Sequence, residues 1–219
     1  SSNHAGGTGG GVDNFGALQL VNSTLAFNTS SQGAAGIENH DGATAVTMNT
    51  IIAANQTQST PSDVNGSFLS LGGNLVGVVT PSSPGFSTNQ SIDRTGNLTT
   101  PVAHGLDENL RRNPGQADES VTLPKTHALL PESNARNIGT DSGTYLDETI
   151  TAPLFDQRGI PRSAGSIDAG AFERYFVTIR GRKYADLNGD GLPYVDTNAN
   201  GIRDEDEPLD PGLPGWTIF

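Results

Sequence analysis

One stretch near the end of the chain has the residue types and spacing of a calcium loop. Residues 196–207 match the pattern D-x-[DN]-x-[DN]-G-x5-E at every defined position. Calcium takes roughly six to eight oxygen ligands without directional bonding, so a short loop can wrap it with alternate residues. Glycine in the sixth position permits the sharp turn that this wrapping needs. We predict the ligands to be Asp196, Asn198, Asn200, Ile202 through its carbonyl, Asp204 and Glu207.

A second candidate loop begins ten residues earlier, with oxygen-bearing side chains at Asp186, Asn188 and Asp190. The position that would supply the closing carboxylate is Thr197, but Asp196 is one residue away and could serve both ions. The flanking sequence has no helical pattern, so these would be calcium loops without the helices of an EF-hand. Whether Ca²⁺ binds once or twice is left open.

The charges of the chain are distributed unevenly. The net charge is −12, which argues against nucleic acid as a partner. Residues 1–93 contain no Lys or Arg, and residues 184–219 contain eight acids but only one base, Arg203. Such an acidic block is either a solvated tail or a cation site.

The elements that would carry these loops are predicted from a repeat in residues 1–80. Residues 11–14, Gly-Val-Asp-Asn, return as Gly-Ile-Glu-Asn at 36–39, and a degraded third copy follows from Asp63. A repeat of 25 to 27 residues with short apolar runs is typical of a β-solenoid, in which each turn buries its inner face only by stacking on its neighbours. We predict two to three right-handed parallel coils with an interior formed by Leu20, Leu25, Phe27, Ile37, Val46, Met48 and Ile51.

Asparagines recur at fixed places in this repeat. Stacked parallel strands place equivalent positions about 4.8 Å apart, and Asn side chains at that spacing can hydrogen-bond in a ladder. Asn also tolerates the left-handed conformation found at turns. We predict three stacked pairs: Asn14 with Asn39, Asn22 with Asn49, and Asn28 with Asn55.

Residues 81–174 are rich in proline, which forbids long regular elements. They contain Thr-His-Ala-Leu-Leu-Pro at 126–131, Asp-Gln-Arg-Gly-Ile-Pro-Arg at 156–162 and Ile-Asp-Ala-Gly-Ala-Phe-Glu at 167–173. With the repeat, these motifs resemble the C-terminal end of bacterial right-handed parallel β-helix surface proteins of the choice-of-anchor type. Residues 134–139 depart from the family pattern. The resemblance implies a β-helix end with a cap, in a large secreted protein, and no known catalytic role.

Residues 175–219 change character again. Residues 176–181 alternate like a strand, and residues 215–219 look like a second one, with the acidic block between them. Together with Pro-Gly-Leu-Pro-Gly-Trp-Thr at 211–217, this stretch resembles the opening of the calcium-binding B-type repeat domains of serine–aspartate adhesins. Those domains are immunoglobulin-like sandwiches of about seven strands, so the resemblance implies that this segment is the start of one.

Two groups of residues invite an enzymatic interpretation. Asp156, Arg158, Arg162, Asp168 and Glu173 form an acid–base cluster in sequence, for which we favour a structural role, because arginine forks can tie carboxylates to backbone carbonyls and cover exposed strand edges. A hydrolase needs two carboxylates beside a sugar, and the coils offer Asp13, Glu38, Asp41 and Asp63. A lyase needs a basic group, which the coils lack before Arg94.

These observations predict an all-β chain in three parts: β-helix coils at 1–80, the β-helix end and cap at 81–174, and a calcium-binding segment at 175–219. We expect a non-enzymatic, extracellular structural or adhesive segment of a longer surface protein. The alternative is a β-helix that binds or cleaves polysaccharide. Expected partners are neighbouring domains of the polypeptide, with cell-surface glycans or copies of the chain as candidates. There is no cysteine and no apolar run long enough to span a membrane.

Overall fold

The described part of the protein is built from short β-strands and turns. The computed structural model describes residues 1–86, 93–113 and 124–175, and these residues contain strands but no helix, which confirms the predicted all-β class. In this part of the chain there is accordingly no helix long and apolar enough to cross a bilayer. The chain divides into two compact units, Ser1–Tyr175 and Phe176–Phe219, and every described residue belongs to the first. The predicted strands at 176–181 and 215–219 lie outside the described residues.

All the described strands are only two to five residues long. Those of residues 1–80 are β1 (His4–Ala5), β2 (Val12–Asn14), β3 (Ala17–Val21), β4 (Thr24–Ala26), β5 (Thr29–Ser30), β6 (Ile37–Asn39), β7 (Thr44–Met48), β8 (Ile51–Ala53), β9 (Gln56–Thr57), β10 (Thr60–Pro61), β11 (Val64–Asn65), β12 (Leu69–Ser70) and β13 (Leu75–Val76). Those that follow are β14 (Arg94–Thr95), β15 (Arg111–Arg112), β16 (Lys125–Thr126), β17 (Ser142–Tyr145) and β18 (Glu148–Thr151).

The strands of residues 1–80 pair in parallel with strands one sequence repeat further along, except β10, which pairs antiparallel with the adjacent β9. We call β2, β3 and β4 the first strand set, β6, β7 and β8 the second, and β11, β12 and β13 the third; together they form the strand stack. The three sheets run β2-β6-β11, β3-β7-β12 and β4-β8-β13, and β1, β5 and β9 form a fourth. The step between paired residues is 27 from Thr24 to Ile51, 24 from Ile51 to Leu75, and 19 from Leu75 to Arg94 in β14.

The strands of the second set bury both of their faces. One face, with Ile37, Ala45 and Ile52, joins a cluster that includes Val64, Phe68, Val76 and Phe86. The opposite face of β8, with Ile51 and Ala53, joins a different cluster that includes Leu106, Leu129, Ala169 and Phe172. Side chains alternate across a strand, so Ile51 and Ile52 necessarily enter separate clusters.

The predicted interior is therefore only partly correct. Leu20, Leu25 and Ile37 do belong to the cluster that lies within the strand stack. Phe27 and Ile51 belong instead to the cluster formed with the later part of the chain. Val46 and Met48 are buried, but on the face of β7 opposite to Ala45 and Thr47. The Met48 sulfur lies 3.3 Å from the position that a Cβ would take at Gly143, in β17. The prediction takes apolar residues to mark one buried face, and it fails because both faces of these strands are covered.

The later segment supplies that second cover. Ala169 and Phe172 pack on Ile51 and Ala53. Backbone groups of the segment bond to residues at or next to the turn between the second and third strands of the first and second sets. The Gly170 N–H donates to the Asn49 carbonyl at 2.7 Å, and the Ala171 N–H donates to the Thr24 hydroxyl at 3.0 Å. We call residues 102–113 and 124–175 the outer layer. β14 is separate from it, because it extends the β4-β8-β13 sheet beyond β13.

All three predicted asparagine pairs are hydrogen-bonded. The Nδ2 of Asn14 donates to the Oδ1 of Asn39 at 2.6 Å, that of Asn28 to Asn55 at 2.8 Å, and that of Asn49 to Asn22 at 3.2 Å. Asn22 and Asn49 adopt left-handed φ values of 44° and 51°, and the next set has Gly73 there, with φ 70°. A Cβ at Gly73 would lie 2.2 Å from the Asn49 Oδ1, so glycine is required on both counts.

The Asn28 row is longer than predicted and has a direction. The backbone N–H and the Nδ2 of Asn3 both donate to the Oδ1 of Asn28, and Asn28 donates in the same way to Asn55. Asn55 in turn donates to a carboxylate oxygen of Asp63, at 2.9 Å from its backbone and 2.8 Å from Nδ2. We call Asn3, Asn28, Asn55 and Asp63 the amide ladder. Thr50, Asn74 and Asp93 form a shorter row of the same kind.

Candidate functional site

Two of the predicted carboxylates, Asp13 and Glu38, are neighbours in register on β2 and β6. Their carboxylates nevertheless have separate partners. Both Asp13 oxygens accept from the Thr8 hydroxyl at 3.1 Å, and Oδ1 contacts His40. Glu38 is buried, with its oxygens held by the Ala34 N–H at 2.6 Å and the Asn65 Nδ2 at 2.5 Å. The register places the two residues side by side, but each carboxylate is hydrogen-bonded to its own set of neighbouring groups.

His40 extends the Asp13 site onto the surface. Its Nε2 lies 2.7 Å from the Asp13 Oδ1, and its ring stacks on Phe15 with centroids 3.9 Å apart and planes 9° from parallel. Phe15 is 73% exposed, whereas the His40 and Asp13 side chains are about one-third exposed. A His–carboxylate pair could move a proton, but none of the hydrogen bonds described for the pair comes from a Ser or Cys that could act as nucleophile.

The other two carboxylates of the hydrolase hypothesis lie in contrasting places. Asp41 is exposed at a turn. Asp63 is 1% exposed and ends the amide ladder, where burial raises its pKa from 3.8 to about 6 against the lowering effect of its bonds to Asn55 and the Val78 N–H. Its place in the third set follows from the register: the counterpart of Asn55 is Val79, which has no polar side chain, and Asp63 supplies the missing acceptor.

The acid–base cluster of the outer layer is a closed network around Asp156. This carboxylate accepts from the backbone N–H groups of Arg158, Ile160 and Glu173, at 2.8, 3.0 and 2.9 Å. It also receives the Arg158 guanidinium through Nε at 2.9 Å and a second nitrogen at 2.7 Å. The same guanidinium lies 3.5 Å from the centroid of the Phe172 ring. Such a buried, charge-assisted fork fixes the loop and leaves the Asp156 oxygens no open coordination.

Arg162 ties the second half of the network together. Its guanidinium contacts the Glu173 carboxylate at 2.8 Å, the Gly170 carbonyl at 2.8 Å and the Asp168 carbonyl at 3.2 Å. Burial raises the pKa of Glu173 to about 7, and the nearby Asp168 carboxylate adds to this, against the attraction of Arg162. Burial likewise raises the pKa of Asp168 and lowers that of Arg162.

These contacts confirm one part of the structural interpretation and correct another. As predicted, Arg158 and Arg162 each join a carboxylate to backbone carbonyls. The predicted purpose was to cover strand edges. The described bonds from this region reach turns and the outer face instead, including the bond from the Asn22 Nδ2 to the Asp168 carbonyl at 3.3 Å. The reason is that β8 and β13 carry apolar residues on their outer face, and those residues need a cover.

A cavity of about 440 Å³ lies at the seam between the first strand set and the outer layer. It is lined by Asn22, Ser23, Thr24, Pro153, Phe155, Asp156, Gln157, Arg162 and Ala171. A second cavity of about 260 Å³ shares Thr24, Gln157 and Ala171 with it. Hydroxyl and amide groups line the cavity together with the ring of Phe155, which is 55% exposed. The seam is large enough for a small ligand.

Sequence reasoning missed one buried histidine. His127 is 5% exposed, and its Nδ1 lies 2.8 Å from the Asp107 carbonyl, a contact in which the ring nitrogen donates. Its ring packs on Phe27, with centroids 4.8 Å apart. Within the described residues its Nε2 has no hydrogen-bond partner. The motif at 126–131 marked this histidine, but spacing alone did not show that it anchors the outer layer to Phe27.

The predicted calcium ligands all lie outside the described residues: Asp186, Asn188, Asp190, Asp196, Asn198, Asn200, Ile202, Asp204 and Glu207. Over residues 1–86, 93–113 and 124–175, no three His, Cys, Asp or Glu side chains come together in a way that could hold a metal ion. The calcium loops stay a prediction from sequence.

Comparison with known proteins identifies no relative. No protein-family model, no curated protein and no solved structure matches the chain.

Proposed function

We propose that the chain is a structural, non-enzymatic segment of an extracellular surface protein, built on a right-handed parallel β-helix. The observation that carries this proposal is the amide ladder within parallel-paired strands. Successive strand sets pair in register, and buried Asn28 and Asn55 link them through side chains. A stack held by both backbone and side-chain bonds resists shear between layers, which suits a stiff spacer.

The burial and hydrogen bonding of the carboxylates support the non-enzymatic part of the proposal. Glycoside hydrolysis uses two carboxyl groups that face one sugar from about 5 to 9.5 Å apart. Glu38, Asp63 and Asp156 are instead buried and hold backbone or amide N–H groups. In these positions a carboxylate stabilises its own loop.

Calcium is the proposed cofactor of the acidic C-terminal segment. The support is the spacing of Asp196, Asn198, Asn200, Asp204 and Glu207, which provides hard oxygen ligands at alternate positions. The ion would neutralise an acidic block and stabilise the joint between the β-helix and a following B-type domain. The resemblance to secreted surface proteins supports an extracellular location, where calcium is abundant, and makes neighbouring domains the expected partners.

A cleavage assay tests the non-enzymatic proposal. The full chain is incubated with a panel of neutral and acidic polysaccharides, and released reducing ends and unsaturated sugars are measured. We expect no release above that of a heat-denatured sample. Release that Asp13→Ala or Glu38→Ala abolishes, while the fold is retained by circular dichroism, would show that the chain is a glycosidase or lyase.

A second candidate function is saccharide binding at the seam cavity. It is favoured by the volume of about 440 Å³ and by the exposed ring of Phe155 beside Asn22 and Gln157. Aromatic rings with adjacent amides and hydroxyls give a sugar both an apolar face and hydrogen bonds.

Binding is tested by NMR titration of the full chain with the oligosaccharides derived from the same panel. Phe155→Ser should abolish shifts at Ser23 and Thr24, and Phe15→Ser, which removes another exposed ring away from the cavity, serves as the control. Shifts that respond equally to both substitutions, or no shifts at all, would remove saccharide binding at this seam.

A further inference from the structure

The side chain of His104 closes a tight turn in the outer layer. Its Nδ1 accepts the backbone N–H of Leu106 at 3.0 Å, so the ring takes the place of a backbone acceptor. A neutral imidazole accepts at Nδ1 when its proton lies on Nε2, whereas a protonated imidazole carries a proton on both nitrogens and can only donate. Protonation of His104 therefore breaks this bond and sets two donors against each other.

The turn lies where two segments of the outer layer pair. We call these segments, residues 104–107 and 127–130, the paired loops. Leu106 and Leu129 form an antiparallel bridge, flanked on each side by a backbone hydrogen bond of 2.8 Å. The two leucines are 3% and 4% exposed and lie in the same cluster as Ile51 of β8. The bond to His104 fixes the direction of the Leu106 backbone, so the bridge depends on it.

The surroundings of the His104 ring favour its neutral form. The ring is half-buried and meets the Phe27 ring edge-on, with centroids 5.7 Å apart. Burial lowers the pKa of His104 from 6.5, the Glu108 carboxylate opposes this effect, and the His127 ring adds to it. Among the described residues, these two are the titratable side chains that act on the ring. At pH 7 the ring is accordingly neutral and the turn is closed.

Mild acid acts in opposite senses on the two ends of the outer layer. Glu173 is held by Arg162 and by the Asp168 N–H, and burial raises its pKa to about 7, so protonation favours the folded state around it. A lowered pKa has the reverse sign: the stabilisation from His104 is complete above the unfolded value and is lost as pH falls through the folded one. Acid therefore weakens the paired loops while it strengthens the region of Glu173.

We propose that the paired loops are a flap that opens in acid. When His104 takes up a proton, its Nδ1 becomes a donor, the bridge between the two leucines separates, and the Phe27 ring loses its contacts with His104 and His127. Residues 167–173 stay attached, because their backbone bond to Asn49 involves no titrating group. The chain then presents in acidic surroundings an apolar surface that it covers at neutral pH.

Hydrogen exchange of backbone amides, followed by NMR on the full chain, tests the flap. Between about pH 7.5 and about pH 5, the protection factors at Leu106, Asp107 and Leu130 should fall about tenfold or more, after correction for the intrinsic rates. Those of Gly139 and Ala169, which are bonded within the other end of the outer layer, should be retained. Exchange is the appropriate measure because the opening is local, whereas the urea midpoint also includes the opposite effect of the buried carboxylates.

His104→Asn distinguishes acid opening from a merely structural role. An Asn side chain can accept the N–H of the residue two positions on, as His104 does, but it does not titrate. The paired loops of this variant should therefore stay protected at both pH values. His40→Asn removes a different ring, one stacked on Phe15, and is the matched control. It should open in acid like the unmodified chain.

Acid opening that persists in His104→Asn, or paired loops that stay protected in the unmodified chain while His104 is protonated, would overturn the proposal. If the variant is open at both pH values, the unmodified chain decides. The Leu106 amide shift and the His104 ring shifts are then followed together during a pH titration. A common midpoint below pH 6.5 supports the flap, and separate midpoints contradict it.

Discussion

At the scale of single residues, the useful property of asparagine in this stack is that one side chain both accepts and donates. Asn55 accepts from the backbone and side chain of Asn28 and donates to Asp63, Leu25 and Ala53. An ionised aspartate only accepts, so Asp63 and Asp93 fit the ends of their rows and no position between. The difference between Asn and Asp, an amide NH2 in place of a carboxylate oxygen, therefore decides whether a row continues.

Asn55→Leu should lower the free energy of unfolding by about 3 kcal/mol. The apolar side chain leaves two donors of Asn28 unsatisfied and removes the Nδ2 bond to the Asp63 carboxylate, which keeps its backbone donor. An unsatisfied buried polar group costs about 1 to 3 kcal/mol. Urea denaturation measures the change. The adjacent, exposed Gln56→Ala is the control, and its effect should stay within about 0.5 kcal/mol. Equal losses for both variants would mean that the ladder bonds contribute little.

The buried carboxylates should make the fold more stable in mild acid. The pKa of Asp63 rises from 3.8 to about 6 and that of Glu173 from 4.5 to about 7 on folding. A raised pKa means that the folded state holds the proton more tightly. Its stabilisation is complete below the unfolded pKa and is lost as pH rises through the folded value.

We therefore expect the urea midpoint to fall between about pH 4 and pH 7. Asp63→Asn should flatten the decline at the lower pH end of this range and Glu173→Gln at the higher pH end, since the amide that replaces each carboxyl group does not titrate. The exposed Asp41→Asn is the matched control and should leave the profile unchanged. A midpoint that rises across this range in the unmodified chain would contradict the prediction.

At the scale of elements, the sequence predicted the strands and the asparagine rows but not the outer layer. Repeated Asn and Gly positions mark turns, because few other residues adopt their φ values. Ile51 and Ile52 carried a further signal, a run apolar on both faces, which indicates a strand covered on both sides. What covers the outer face could not be read from pattern. Ala169 and Phe172 lie more than a hundred residues away, in a segment with no periodicity.

Ile51→Ala and Ile52→Ala separate the two faces of β8. Each removes buried methylene groups and should cost about 2 to 4 kcal/mol if the surroundings do not collapse. Ile51→Ala should raise hydrogen exchange in residues 167–173 while β6 and β7 stay protected. Ile52→Ala should instead raise exchange in β6 and β11. The same exchange pattern in both variants would show that the strand stack and the outer layer unfold as one unit.

At the scale of the whole molecule, the uneven distribution of charge indicates that different parts of the chain are stabilised in different ways. Residues 1–93 have no Lys or Arg and rely on stacking, whereas the network around Asp156 and Arg162 ties down the outer layer. The acidic segment after Glu173 has a single base for eight acids over residues 184–219. A divalent ion is the simplest counter-charge that its ligand spacing fits.

Calorimetric titration of the full chain should detect calcium binding in the range of about 0.1 to 1 mM, typical of extracellular sites. Glu207→Gln should weaken binding most, because it removes the proposed bidentate ligand. Glu205→Gln, at a position that the loop pattern leaves unassigned, is the matched control. Limited proteolysis between residues 175 and 219 should slow with calcium and not with chelator. No heat of binding, and identical cleavage in both conditions, would leave the segment a solvated acidic loop.

The shortening step between paired strands has a consequence for how the chain can change in evolution. The number of residues between paired positions of successive strands falls from 27 to 24 and then to 19 between β4 and β14. Extra residues lengthen a path cheaply where it bulges into solvent, since the entropy of closing a loop grows only slowly with its length. The 19-residue step to β14 is the shortest of the three. Insertions should accumulate in the longer early connections, around Thr57 and Pro61, and be rare in the short last one.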